Sequence, residues 1–316
     1  MMCTTRQVDS HRGFTLIEML IVIGIIAILL GIIMTAISGV GSKARKTNER
    51  NEIRQIGNAW IKYAQIHKDR ITPGWLSPST QNEWDTVITY PDGTVIPPAP
   101  TYGGEQPNIA GPWTWRLLPY MEYDFRLTRS HLREDNFNHW SDLPPGMRLE
   151  IAEAPAYGVN GYFLGGCWDR WYGNVSGTHP RLRKARDASG KKVNLTTRSL
   201  SMMRNPSTVL AFISNAAGKP NQPLAAEDWD AGHYLATPHR LADDRLWTIN
   251  EGLDVQMLDG RSGPIGRYGG PPVTWHPDGH VDAFSLQELL DQRLWIDQAE
   301  DLPGYAAEHY TYTEGD

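Results

Sequence analysis

Between Met19 and Ile37 the chain reads MLIVIGIIAILLGIIMTAI, without one charged residue. A helix from Phe14 to Ile37 would extend about 36 Å at ~1.5 Å per residue, enough to cross a hydrocarbon core of about 30 Å. A helix packed in a water-soluble core would keep a polar face, and this run has none. It reads as a membrane span. One acid, Glu18, sits at its start. A carboxylate embedded in an apolar span costs about 2.5–3.5 kcal/mol on insertion scales, so it asks for compensation. Either it lies near the interface and snorkels, a short step after Arg12, or it pairs with a positive charge from a neighbouring chain.

Three interpretations of this segment compete. A secretory signal would place a small-residue cleavage site after the apolar run, and Ala36-Ile-Ser38 is only a weak one. A plain signal anchor needs neither a Gly-Phe junction nor an embedded acid. The third is carried by Gly13-Phe14-Thr15-Leu16-Ile17-Glu18, preceded by a short leader with Arg6 and Arg12. These residues closely resemble the type IV prepilin N-terminus. The resemblance implies that a prepilin peptidase cuts after Gly13, on the cytoplasmic side, and methylates the new N-terminal Phe14. It also implies that Glu18 meets the N-terminal amine of an adjacent subunit, which would compensate its burial. Charge alone leaves the orientation open, because Lys43, Arg45, Lys46 and Arg50 follow the run just as Arg6 and Arg12 precede it. The resemblance places the leader in the cytoplasm and the C-terminal bulk outside the cytoplasmic membrane, in a single-pass topology, with a surface filament as a further destination.

After the apolar run, from Ser42 to about His67, the pattern turns amphipathic, and the long helix is expected to end there. Ile53, Ile56, Trp60, Tyr63 and His67 recur at helical steps, while Arg50, Glu52, Arg54, Asn58 and Lys62 fall elsewhere. No proline interrupts Phe14 to Thr72, and Pro73-Gly74 ends the run. The expected organisation is a leader over 1–13, a transmembrane helix over 14–37, a continuing spine over 38–72, and an extracytoplasmic globular domain over 73–316. His67 on the apolar stripe reads as a packed side chain.

Twelve Trp and thirteen Tyr in 316 residues supply a packed core. The net charge of −6 argues against a nucleic-acid partner. Of the two cysteines, Cys3 lies in the leader, so Cys167 has no partner in the mature chain and the fold is not stapled by a disulfide.

Within the globular part, prolines over 75–112 break regular structure, apart from a hairpin expected at Val87–Ile96 around Pro91-Asp-Gly93. Trp113–Met121 begins a short helix or strand with core aromatics. Tyr157–Leu164, Val209–Ser214 and Val273–Phe284 read as strands, the last as a hairpin turned at Pro277-Asp278-Gly279. Ser285-Leu-Gln-Glu288 is a capping box that opens a helix. Arg181–Arg204 is rich in cations and reads as a solvated hairpin around Ser189-Gly190, with an acidic partner or anionic polymer as the alternative. The C-terminal stretch from Asp291 is acidic and could meet it.

A second resemblance covers much of the domain. Asp278-Gly279-His280-Val281, Arg267-Tyr-Gly-Gly270, Trp115–Met121 and Tyr157-Gly-Val-Asn-Gly161 resemble a pilin-associated module named for a His-X9-Asp-Gly pattern. Tyr268 stands where the pattern has histidine, which weakens any metal or catalytic role there.

Two clusters offer metal-type side chains: His276, Asp278 and His280, and the acidic loop Glu227, Asp228 and Asp230 with His233. Neither matches a defined ligand signature. Asp278 is accounted for by its turn. The second loop offers Ca²⁺-type oxygens, against the simpler reading of a hydrated loop. No phosphate-binding glycine loop, GxSxG or HExxH occurs. The reading is therefore an α+β, pilin-like protein, with a long N-terminal transmembrane and spine helix and a mainly antiparallel β domain with short helices. It is not an enzyme and needs no cofactor. Its partners are a prepilin peptidase, other pilin-like subunits and the membrane, in a pilus or secretion-type pseudopilus. The rival is a membrane-tethered binding or enzymatic domain, its Trp113, Trp115, Trp168 and Trp171 stacking on sugars. Exposed tryptophans would favour the rival, and buried ones assembly.

Overall fold

The computed structural model describes residues 14–37, 40–76, 88–89, 95–96, 111–128, 152–168, 185–186, 192–193, 195–218, 221–224, 232–241, 244–250, 254–258 and 262–299. Two compact units are distinguished, Met1–Arg45 and Lys46–Asp316. Residues 1–13, the expected leader with Gly13, and the acidic loop Glu227, Asp228 and Asp230 lie outside the described residues, as does the stretch beyond Ala299.

The first unit holds helix α1 (Leu16–Ile37) and the first residues of α2 (Val40–Ile66). The expected long helix is described as two stretches, α1 and α2, on either side of Ser38-Gly39, which lie outside the described residues. The second helix ends at Ile66, next to the end expected at about His67. Lys68 and Asp69 take left-handed backbone angles (φ 56° and 68°), and the Asp69 N–H reaches back to the Ala64 carbonyl at 2.8 Å, closing the last turn. Local backbone geometry stops the helix well before Pro73 does.

The second unit is built mainly from short antiparallel strands. The first are β1 (Trp75–Leu76), β2 (Ile88–Thr89), β3 (Val95–Ile96), β4 (Tyr157–Val159) and β5 (Cys167–Trp168). Then come β6 (Ala185–Arg186), β7 (Lys192–Val193), β8 (Phe212–Ala217), β9 (Arg240–Leu241) and β10 (Asp244–Arg245). The last are β11 (Trp247–Ile249), β12 (Val255–Met257), β13 (Ser262–Pro264), β14 (Val273–Trp275) and β15 (Val281–Ala283). The five-stranded sheet has β8 at its centre, bonded to β4, β13 and β14, with β15 beyond β14. Only β1 and β5 pair in parallel among the named strands. The expected hairpins at Val87–Ile96 and in the basic stretch appear as the antiparallel pairs β2–β3 and β6–β7, their turns lying outside the described residues. Trp113–Met121 is helical, an α-helical turn α3 (Trp113–Leu117) running into a 3₁₀ turn.

The helix α2 covers one face of the sheet. Ile53, Ile56 and Trp60 are fully buried on it, each contributing about 1.5–3 kcal/mol of apolar burial. Trp60 meets Trp275 edge-on at 5.7 Å and Phe212 at 6.5 Å. The helix comes this close because Gly57 has no side chain: a Cβ there would lie 2.0 Å from the Trp275 ring. Alternation along β8 sends Phe212 and Ser214 toward α2 and Ile213 into a second core with Phe163, Trp247 and Trp295. Arg116 is buried on α3, bonding Thr72 Oγ1, the Gly111 carbonyl at 3.1 Å and the Pro73 carbonyl, and burial pulls its pKa down to about 10.

Candidate functional site

Two places combine unusual residues with defined geometry, the start of α1 and the contact of α2 with the sheet. At the start of α1, Thr15 is the N-cap. Its backbone N–H and hydroxyl both donate to Glu18 Oε2 at 2.8 Å, and the Glu18 N–H donates to Thr15 Oγ1 at 3.3 Å. This is a capping box, and it was legible as Thr-x-x-Glu. Glu18 is therefore held by neutral donors of its own chain through one oxygen. Its Oε1 accepts no hydrogen bond among the described residues. Around it the apolar surface is open, with Phe14 77%, Leu16 83% and Ile28 66% exposed. Among the described residues no helix is long and apolar enough to cross a membrane. The side chains of α1 are described only as far as Ile32, while its backbone helix runs 22 residues to Ile37.

At the other end of the apolar stripe, two acids are buried. Glu49 is 2% exposed and Glu52 1%. Ser214 Oγ donates to Glu49 Oε1 at 2.6 Å, and the Tyr157 hydroxyl donates to Glu52 Oε2 at 2.8 Å. Burial pushes the Glu49 carboxyl above its ordinary range, against the pull of the Ser214 hydroxyl and the nearby Arg267, Lys46 and Arg50 charges. Burial likewise drives the Tyr157 phenol well up, with Glu52 and Glu49 adding to it. The loop after β13 closes over this cluster. Arg267 donates to the Ala156 and Asn215 carbonyls at 3.2 and 2.6 Å, and Lys46 Nζ donates to the Gly269 carbonyl at 3.1 Å. Gly269 and Gly270 both hold positive φ, 84° and 78°.

Glu52 had been expected off the packed face and Glu49 had not been singled out; both sit on it. The signal was present, since stepping back by helical spacing from Ile53 and Ile56 lands on Glu49 and Glu52. Their acidity masked it. Of the motifs Tyr157-Gly-Val-Asn-Gly161 and Arg267-Tyr-Gly-Gly270, the first supplies the donor to Glu52 and the second a positive charge near Glu49, whose donor is Ser214.

The hairpin Val273–Phe284 forms as expected, with β14 and β15 in register Trp275↔Val281 and Gly279 at φ 98°. Its histidines are structural. His276 is fully buried, its ring nitrogens contacting the Val209 carbonyl at 3.1 Å and Thr274 Oγ1 at 3.2 Å. Burial, then the neighbouring His280, lowers its pKa to about 4. His280 stacks on it at 4.1 Å with rings 6° from parallel, and its Nδ1 lies 2.5 Å from Asp278 Oδ1. Burial raises Asp278, but the His280 N–H and ring outweigh that and hold it low. Parallel stacked rings do not converge their nitrogens on one ion, and among the described residues no metal-type cluster is found. His233, the described member of the second candidate set, bonds the Leu235 N–H through Nδ1 at 3.1 Å. Ser285–Glu288 forms its capping box, but opens 3₁₀ turns (Glu288–Leu290 and Gln292–Leu294) in place of the expected longer helix. Trp113 and Trp115 are buried; Trp171 and the side chain of Trp168 lie outside the described residues.

Residues 9–34 match the family model of the prokaryotic N-terminal methylation motif. The match spans Gly13, Phe14, the Thr15–Glu18 cap and most of α1. It supports a prepilin-like N-terminus, of the kind that suggests processing by a prepilin peptidase, membrane anchorage and association with other pilin-type subunits. No curated protein and no solved structure matches the chain.

Proposed function

We propose that this protein is a membrane-anchored, pseudopilin-like subunit, cut between Gly13 and Phe14, N-methylated on Phe14 and assembled with other pilin-like chains. The reading rests above all on the methylation motif over 9–34, which takes in most of an open apolar helix. On this reading the chemistry is done on the chain by a peptidase, and the chain acts by assembly. The apolar α1 spans the cytoplasmic membrane or packs against its neighbours, while the domain beyond α2 projects outside. Glu18 has the right arrangement to serve this: Thr15 fixes Oε2, leaving Oε1 to accept a neighbour's Phe14 ammonium. A buried charge pair with good geometry relieves the desolvation of both partners. The finer relation to the His-X9-Asp-Gly module rests on Arg267–Gly270 and Asp278–Val281, with Tyr268 in the histidine place. The buried Trp113 and Trp115 favour assembly over the tethered sugar-binding rival.

Mass spectrometry of the N-terminus from native membranes tests the reading. The expected mature chain begins at N-methyl-Phe14. A chain starting at Met1 or Met2, or near Gly39, would overturn it.

A further inference from the structure

A cleft of about 550 Å³ opens beside the C-terminal 3₁₀ turns, far in sequence from the processing segment. Its volume lies in the range of small-molecule sites, about 300–1,000 Å³. Phe284, Leu290 and Leu294 give it an apolar wall, and Arg245, Glu288 and Asp291 bring charge to its rim.

These charges differ in what they have left to offer. Asp291 is committed: it accepts from Arg293 Nη2 at 2.6 Å and Nε at 2.9 Å, and from the Arg293 N–H at 2.9 Å. Glu288 is half committed. Its Oε2 takes both the Ser285 N–H and hydroxyl at 2.7 Å, which fixes the carboxylate and holds it ionised, with its pKa lowered by the Ser285 hydroxyl and then by the backbone bond. Its Oε1 accepts nothing among the described residues. Arg245, on β10, makes no side-chain hydrogen bond or ion pair among the described residues. The cleft thus presents one guanidinium and one carboxylate oxygen that, among the described residues, have no partner and do not pair with each other, above an apolar wall. A ligand carrying both charges would engage both groups, whereas one with a single charge would engage only one and a neutral sugar neither as an ion pair.

We propose that this cleft binds an α-amino-acid zwitterion with an apolar side chain, either free or as a short peptide. The carboxylate sits on Arg245, the ammonium on Glu288 Oε1, and the side chain against Phe284, Leu290 and Leu294.

The test is isothermal titration of the full chain in detergent with L-leucine, L-leucyl-L-leucine, N-acetyl-L-leucine and L-leucinamide. Leucine, the dipeptide or both should bind saturably, while N-acetyl-leucine, without the ammonium, and leucinamide, without the carboxylate, bind about tenfold more weakly or worse. Stronger binding of the dipeptide assigns a peptide ligand, and equal binding assigns the free amino acid. Arg245→Gln should bring leucine down to the level of leucinamide and leave leucinamide unchanged. Glu288→Gln, which keeps the capping geometry, should do the same with respect to N-acetyl-leucine. Arg245 and Glu288 are exposed, so an unchanged melting temperature confirms that the variants are folded. No saturable binding of either zwitterion up to about 10 mM, equal binding of all four compounds, or a wild-type affinity in Arg245→Gln overturns the proposal.

Discussion

Ser214 Oγ, on the central strand, donates to Glu49 Oε1, on the helix that covers it, at 2.6 Å. The bond joins a carboxylate buried on the α2 stripe to the middle of the sheet. It makes the docking of α2 a matter of protonation as well as packing.

The Glu49 carboxyl has its folded pKa raised, so the folded protein holds this proton more tightly than the unfolded chain. Its contribution to stability is present in full below the ordinary carboxylate pKa and is lost as the pH rises through the folded value. Glu49→Gln keeps an oxygen for the Ser214 hydroxyl and cannot ionise. The stability of wild type relative to Glu49→Gln should therefore fall as the pH rises from about 4, the ordinary carboxylate value, through the raised folded pKa. Paired thermal melts across that range check it, and parallel curves would refute it. Ser214→Ala should cost about 1–3 kcal/mol, and more as the pH rises, because the hydroxyl it removes favours the ionised Glu49 carboxylate.

His276 works in the opposite sense. Its pKa is lowered to about 4, so its stabilising contribution is present above the unfolded value of about 6.5 and is lost as the pH falls toward the folded value. NMR titration of the imidazole should show a neutral ring throughout the neutral range. His276→Gln should flatten acid destabilisation between about pH 6.5 and 4 while lowering stability at neutral pH. A midpoint near the free-histidine value would show that the ring is solvated.

Gly57 is where the helix approaches the sheet. Gly57→Ala drives a Cβ to within 2.0 Å of the buried Trp275 ring. The gain in helix propensity, about 1 kcal/mol, should be outweighed by overpacking of about 1–3 kcal/mol. Gly41→Ala, with nothing within 4 Å, should be neutral or stabilising. Urea denaturation of the two variants separates the effects. A stabilised Gly57→Ala would mean that the Trp275 ring moves freely.

Glu18→Gln should leave membrane insertion intact, or ease it, because a neutral amide replaces a charge and can still accept from Thr15. Its effect should fall on assembly: crosslinked ladders in membrane fractions should shorten relative to wild type. Glu18→Ala should shorten them as well and also lose the capping box, about 0.5–1 kcal/mol of helix stability. Leu20→Ile should behave as wild type. Ladders of equal length in wild type and Glu18→Gln would make Glu18 a passive interfacial residue.

Features set within a few residues were open to reading before any coordinates. The α1 run, the Gly13–Glu18 pattern, the turn at Pro277–Gly279 and the Ser285–Glu288 box each depend on period, φ preference or a side chain bonding its own backbone. The stripe Ile53, Ile56 and Trp60 was legible for the same reason. What only the tertiary structure decided were the places where distant segments meet. Glu49 and Glu52 continue the stripe, but a carboxylate enters a core only if donors await it. Those donors, Ser214 and Tyr157, come from strands more than a hundred residues away in sequence. The use of Gly57 as a seat for Trp275 and the sharing of one cleft by Arg245 and Glu288 have the same origin. Hydrophobic period and turn chemistry act along the chain, whereas compensation of buried charge acts across it.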